Sequence, residues 1–280
     1  MSVLESKHGI KYDVGKECLQ QSHILQTHNI NPKAFSSGTF GDIFELNCND
    51  TKKGDKIMKI VKIYFSNVQA MHKHFSQSLQ IAYDVNDEKK YVEGYKKEYA
   101  INMRKFSEEV EIFKKASENN VAPHIYDTFV CKNVNILDQD GSTSLYDIGF
   151  IIVERYTTSF DNVIYTIDDY KFSNNVIQNF IDGVWKSYQL FGRLNVDGIQ
   201  PNNILINMQD NNITKMIIGD WGDFTDSDIQ YPINYEYVKN RILDDLGLKE
   251  IYDKTTILNG GDRYRSKYLK YKKKYLKMKI

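Results

Sequence analysis

RLNVDGIQPNNILINMQDNNITKMIIGDWG, residues 193–222, is the stretch on which the reading of this chain turns. Apolar residues recur from Ile204 to Asn207 and again from Ile213 to Gly219, and an Asn- and Asp-rich turn separates the two runs. That pattern predicts a β-hairpin. Asn203 opens the first strand and Asp220 follows the second. A side-chain amide and a carboxylate are thereby expected at the same end of a rigid hairpin, where their oxygens suit a hard divalent cation.

The residues at that end resemble a known family. Pro201-Asn202-Asn203-Ile204-Leu205-Ile206 is similar to the end of a protein-kinase catalytic loop, and Asp220-Trp221-Gly222 resembles the D-F-G element with Trp in the Phe place. The resemblance implies Mg2+ on Asn203 and Asp220 and ATP as the substrate that brings the phosphates. The chain departs from the family at the base. The catalytic Asp lies five residues before the metal-binding Asn, which here is Gly198, so H-R-D becomes Val196-Asp197-Gly198. Asp197, one residue early, is the nearest carboxylate and the candidate base; a turn cap is the other reading of it.

Upstream, stretches that resemble the family's remaining motifs follow one another in order. Residues 34–46 read AFSSGTFGDIFEL, two half-strands around a turn carrying Gly38, Gly41 and Ile43. Kinases place G-x-G-x-x-G-x-V there so that backbone N–H groups reach phosphate, and Ser36 stands for the first glycine. Lys56 to Ile63 resembles the strand whose lysine holds the phosphates. Lys59 and Lys62 lie an odd number apart, so they leave opposite faces and only one can serve; Lys59 is preferred. The F-x-x-E run from Phe106 to Glu109 resembles the helix whose glutamate pairs with that lysine. Glu108 and Glu111 are neighbours that a solvated face would explain. Ile148 to Val153 reads as a buried strand leading to Glu154 and Tyr156 at the hinge position, where adenine is read. Residues 174–194 carry apolar residues at helical spacing and predict a core helix.

The resemblance implies an α+β, two-lobed protein-kinase-like fold with a small β-rich N-lobe and a reduced helical C-lobe. Residues 1–33 form a lead-in, 34–258 the kinase-like domain and 259–280 a basic tail. The N-lobe spans about 34–156 with an insertion at about 66–100, and the C-lobe 157–258. Only 58 residues follow Gly222 and no A-P-E element is found, hence the reduced C-lobe. The activity implied is transfer of the γ-phosphoryl group of Mg-ATP to a protein hydroxyl. The alternative is a pseudokinase, an interaction module with an impaired loop.

Overall charge is balanced at 37 basic and 37 acidic residues, but residues 261–280 hold nine Lys or Arg and one acid, which leaves 28 against 36 elsewhere. Tyr264, Tyr268, Tyr271, Tyr275 and Met278 make that tail amphipathic. It resembles tails of giant DNA virus proteins. A partner helix, a nucleic-acid or anionic surface, or simple solubility are the readings of it. Cys18, Cys48 and Cys131 show no metal spacing, and an odd number cannot all pair, which reads as a reduced compartment. No apolar signal core or run of 18 apolar residues is present. A cytoplasmic protein without a transmembrane segment is expected, in the host cytoplasm or virion if viral.

Overall fold

The computed structural model describes residues 2–38, 41–48, 55–79, 88–173, 175–195, 197–221 and 232–254. Over these the chain is α+β and divides into two compact units. One is Met1–Arg155 with Trp221–Asp223, and the other is Tyr156–Asp220 with Phe224–Ile280.

The first unit is built on one curled sheet. Its strands are β1 (Ser2–Glu5), β2 (Lys11–Val14), β3 (His28–Ile30), β4 (Ser36–Gly38), β5 (Gly41–Cys48), β6 (Lys56–Phe65), β7 (Ile125–Leu137) and β8 (Thr143–Glu154). They run in the order β1-β2-β7-β8-β6-β5-β3, with β4 paired to β5. The curl brings the two ends close: Glu5 N–H donates to Pro32 C=O at 2.7 Å, and Ala34 N–H donates to Glu5 C=O at 2.8 Å. Alternate residues of the central strands then point inward. Tyr12, Val14, Phe44, Leu46, Met58, Ile60, Ile148, Phe150 and Ile152 belong to one buried cluster. Ile151 and Val153 are also buried, on the opposite face. Both faces of β8 are therefore covered, the reason IGFIIV is continuously apolar rather than alternating.

Among the described residues, the helices α1 (Lys16–Leu19), α2 (Ile24–Thr27), α3 (Val68–Leu79) and α4 (Glu88–Glu118) complete this unit. Residues 1–33 are no separate lead-in here. They supply β1, β2 and β3, and Leu4, Tyr12 and Val14 enter the core. Short strands with mixed burial carry too little periodicity to be read locally, and pairing with a strand more than a hundred residues away decides them, as in Lys11 opposite Leu137. The expected insertion at 66–100 has no boundary at its end, because α4 runs unbroken from residue 88 to residue 118. Cysteine usage also differs from expectation. Cys18 is bonded to Cys131 across a separation of 113 residues, and Cys48 is free. The Cys18 end of the staple is carried by α1, next to β2, and β2 pairs with β7, the strand that carries Cys131. No sequence spacing reports that proximity.

The second unit has a four-stranded sheet ordered β10-β12-β11-β9, with β9 (Thr158–Ser159), β10 (Lys171–Phe172), β11 (Ile204–Gln209) and β12 (Asn212–Ile218). Helix α5 (Val176–Phe191) packs its Ile177, Phe180, Ile181 and Val184 stripe inward. It stops at Gly192, whose φ of 71° gives the left-handed cap that glycine adopts without a Cβ penalty. Helix α6 (Tyr235–Asp245) is capped by Asn234, which accepts from Tyr237 N–H at 2.8 Å. A polar network ties α5 to α6 and to the helical turn after it: Tyr235 Oη donates to Asp182 at 2.7 Å, and Tyr252 Oη donates to Gln178 at 2.6 Å. The tail at 259–280 lies outside the described residues.

Candidate functional site

In the first unit, Lys59 on β6 and Glu109 on α4 meet at 2.9 Å between Nζ and Oε1, each side chain 16% exposed. The partners explain why these two and not their neighbours. Lys62 leaves the other face, lying 4.0 Å from Asp138 and over the rings of Tyr12 and Tyr146 at 5.8 and 5.6 Å. Glu111 pairs with Lys115 at 2.7 Å along the helix surface, and Glu108 with Arg104 at 3.8 Å. Helix α4 is seated by Phe106, which is three residues before Glu109 and therefore on the same helical face. Its ring lies directly against Gly149 of β8, where a Cβ would stand 2.2 Å from Phe106 Cε2. Gly149 is the gap that lets α4 approach near enough for Glu109 to reach Lys59.

Ile43 is the cross-strand partner of Lys59, so the two share a face. Gly38 pairs with Gly41 at the mouth of the glycine turn, whose residues 39 and 40 lie outside the described set. Gly41 has a φ of 132°, and a Cβ there would stand 2.0 Å from Ile60 C=O, so only glycine fits. Glu154 ends β8 opposite Lys56, and its N–H donates to His124 C=O at 2.8 Å. Its backbone donor is thus already used. Tyr156 falls in the second unit, buried, with Lys215 Nζ 5.1 Å from its ring.

In the second unit, the hairpin closes through Asp210 and Asn211, both left-handed at φ of 48° and 60°. Two such residues between the paired Gln209 and Asn212 make the tight turn that matches strand twist. At the open end, Gly219 N–H donates to Asn203 C=O at 2.7 Å, one step beyond the Ile204–Ile218 pair. Asp220 is the next residue out. Asn203 is delivered by a short 3-10 turn, Pro201–Asn203, with its own N–H on Gln200 C=O at 2.9 Å. Asn203 and Asp220 therefore flank one hairpin end, an amide and a carboxylate with oxygen donors. Among the described residues no three His, Cys, Asp or Glu side chains converge as a metal-binding group. The backbone of Asp197–Ile199 forms a second 3-10 turn, while the Asp197 side chain and Gly222 lie outside the described residues.

One residue at this end had no signal in the sequence beyond being a polar residue after a helix. Asn195 is 2% exposed. Its Oδ1 accepts Gly198 N–H at 2.7 Å, and its Nδ2 donates to Asp220 C=O at 3.1 Å. Trp221, which follows Asp220, is buried. Among the described residues no helix is long and apolar enough to cross a membrane. Comparison with protein-family models and with curated proteins returns no match.

Proposed function

We propose that the chain is a protein-kinase-like phosphotransferase that binds Mg-ATP and passes its γ-phosphoryl group to a protein hydroxyl. Lys59, positioned by Glu109, engages phosphate, while Asn203 and Asp220 hold the ion. The observation that carries this reading is the Lys59–Glu109 pair at 2.9 Å, which singles out one lysine of two and one glutamate of three. One carboxylate and one amide suit Mg2+, which keeps water and phosphate oxygens in the rest of its shell. Bound there, the ion would offset charge on the transferring phosphoryl group. Such transfer depends chiefly on positioning and charge stabilisation, so Gly198 lowers turnover without removing nucleotide binding.

A second reading, an impaired pseudokinase acting as an interaction module, is favoured by Asn195, whose amide occupies the space beside Gly198. Calorimetric titration with ATP, with and without Mg2+, tests nucleotide binding. Asp220→Ala should remove most of the magnesium dependence, and Lys59→Met should weaken binding more than Lys62→Met. A wild-type protein with no thermal shift in millimolar Mg-ATP overturns nucleotide binding and the phosphotransferase reading with it, since mass action stabilises any protein whose ligand exceeds its dissociation constant severalfold. Mg-ATP binding with no phosphate transfer to any protein acceptor selects the second.

A further inference from the structure

The Asn195 carboxamide makes two hydrogen bonds that reach in opposite directions from one buried side chain. One holds the backbone of the turn at Gly198, at 2.7 Å, and the other holds the backbone carbonyl of Asp220, at 3.1 Å. The same carboxamide fills the volume on the side-chain side of Gly198. A Cβ built there would stand 2.4 Å from Nδ2, 2.7 Å from Cγ and 2.9 Å from Oδ1. Gly198 is not among the residues with positive φ, so its backbone conformation is open to any residue and the requirement for glycine is steric. A flexible side chain on the surface would swing aside at small cost. Asn195 is buried, and moving it breaks both bonds, strands the buried Gly198 N–H and releases the half-buried Asp220 C=O.

We infer that Asn195 is the positioning residue of this loop. It ties the Gly198 turn to the Asp220 backbone, setting where the Asp220 carboxylate is presented, and by occupying the space beside residue 198 it excludes an acid from that position. The inference rests on the Mg-ATP reading for its functional half. Its steric half stands on the geometry alone. An acid cannot be restored at 198 by one substitution: the side chain of Asn195 must shrink first.

Two experiments on the full chain separate these halves. Asn195→Asp keeps the shape and the acceptor for Gly198 N–H, but sets a carboxylate oxygen against Asp220 C=O. Displacing the support of a metal-holding side chain lowers metal affinity about 10–100-fold. Calorimetry should therefore show the magnesium-dependent part of ATP affinity falling at least about 10-fold, with affinity for ATP in EDTA changed less than about 2-fold. A merely structural role would lower both together. Unchanged magnesium dependence in Asn195→Asp, in a wild type that binds Mg-ATP, overturns the positioning role and leaves the nucleotide reading standing. A wild type that does not bind Mg-ATP overturns the nucleotide reading and the positioning role with it.

The stability cycle judges the steric lock independently. Gly198→Ala should lower the melting temperature by several degrees, as overfilling a buried site does. In an Asn195→Ala background the same change should cost less than about 2 °C, because the obstructing amide is gone. Equal losses in both backgrounds overturn the lock.

Discussion

Replacing Gly149 by alanine probes the contact on which the Lys59–Glu109 pair depends. Gly149 lies within β8, opposite Val61 on one side and Val130 on the other. In a strand interior, alanine is better than glycine by about 0.5–1 kcal/mol on backbone grounds. Against that stands the Phe106 ring, with Cε2, Cζ and Cδ2 at 2.2, 2.3 and 2.8 Å from the new Cβ. Carbon atoms rest about 3.5–4.0 Å apart, so the ring must retreat by more than about 1 Å. Phe106 is buried, and overfilling a packed site costs about 1–3 kcal/mol. The clash outweighs the backbone gain. The retreat is also transmitted along α4, because Glu109 is on the same face one turn later, and a shift of about 1 Å takes the 2.9 Å ion pair to the limit of contact. Urea unfolding should show Gly149→Ala less stable than wild type by about 1–2 kcal/mol. In a Phe106→Ala background the same substitution should become neutral or stabilising by about 0.5–1 kcal/mol, since the ring no longer opposes it. Stabilisation in the wild-type background, or the same loss in both backgrounds, would refute the claim that this glycine seats the helix.

Two further outcomes follow from the same structure. The Cys18–Cys131 bond closes a separation of 113 residues, and loops near that length lose about 4.7 kcal/mol of unfolded-state entropy on cross-linking. Reductant, or Cys18→Ser, should lower the melting temperature by several degrees, and an unchanged value would show that the N-terminal strands are held without the staple. Tyr99, Tyr146 and Tyr235 are each pushed up to about 12, first by burial; Asp147 adds to this for Tyr99 and Asp182 for Tyr235 through hydrogen bonds. Tyr12 is raised further by burial and then by its hydrogen bond to Asp42. Unfolded tyrosine ionises near ~10, so the stability these groups contribute is fully present below that pH and is lost as pH rises through about 12. Phenolate absorbance should therefore have a late component that appears together with unfolding. Complete titration of all 20 tyrosines around pH ~10 in the folded protein would contradict it.

Much of what is local was legible in the residues themselves. The hairpin of β11 and β12 announces itself by alternation and by the Asp210-Asn211 turn, and α5 by its 3.6-residue stripe ending at Gly192. Turn chemistry and periodicity act between residues a few positions apart, so the sequence states them directly. The same rule put Lys59 and Lys62 on opposite faces, but it could not say which face α4 would cover. That choice rests on Phe106 meeting Gly149 across 43 positions, a packing event with no local pattern. Residues 1–33 looked featureless for the same reason: β1 and β2 are defined by what they pair with, and β2 pairs with a strand more than a hundred residues away. Asn195 is the sharpest case. As a letter it is one of many asparagines in a polar stretch. Only folding buries it between Gly198 and Asp220, and in a buried site a side chain with an NH2 donor at one corner and a C=O acceptor at the other decides which neighbour is possible. Composition and period determined the elements; the long-range pairing that closes the sheet and buries Asn195 was decided by the tertiary structure, because burial is a property of the packed chain and not of the residue.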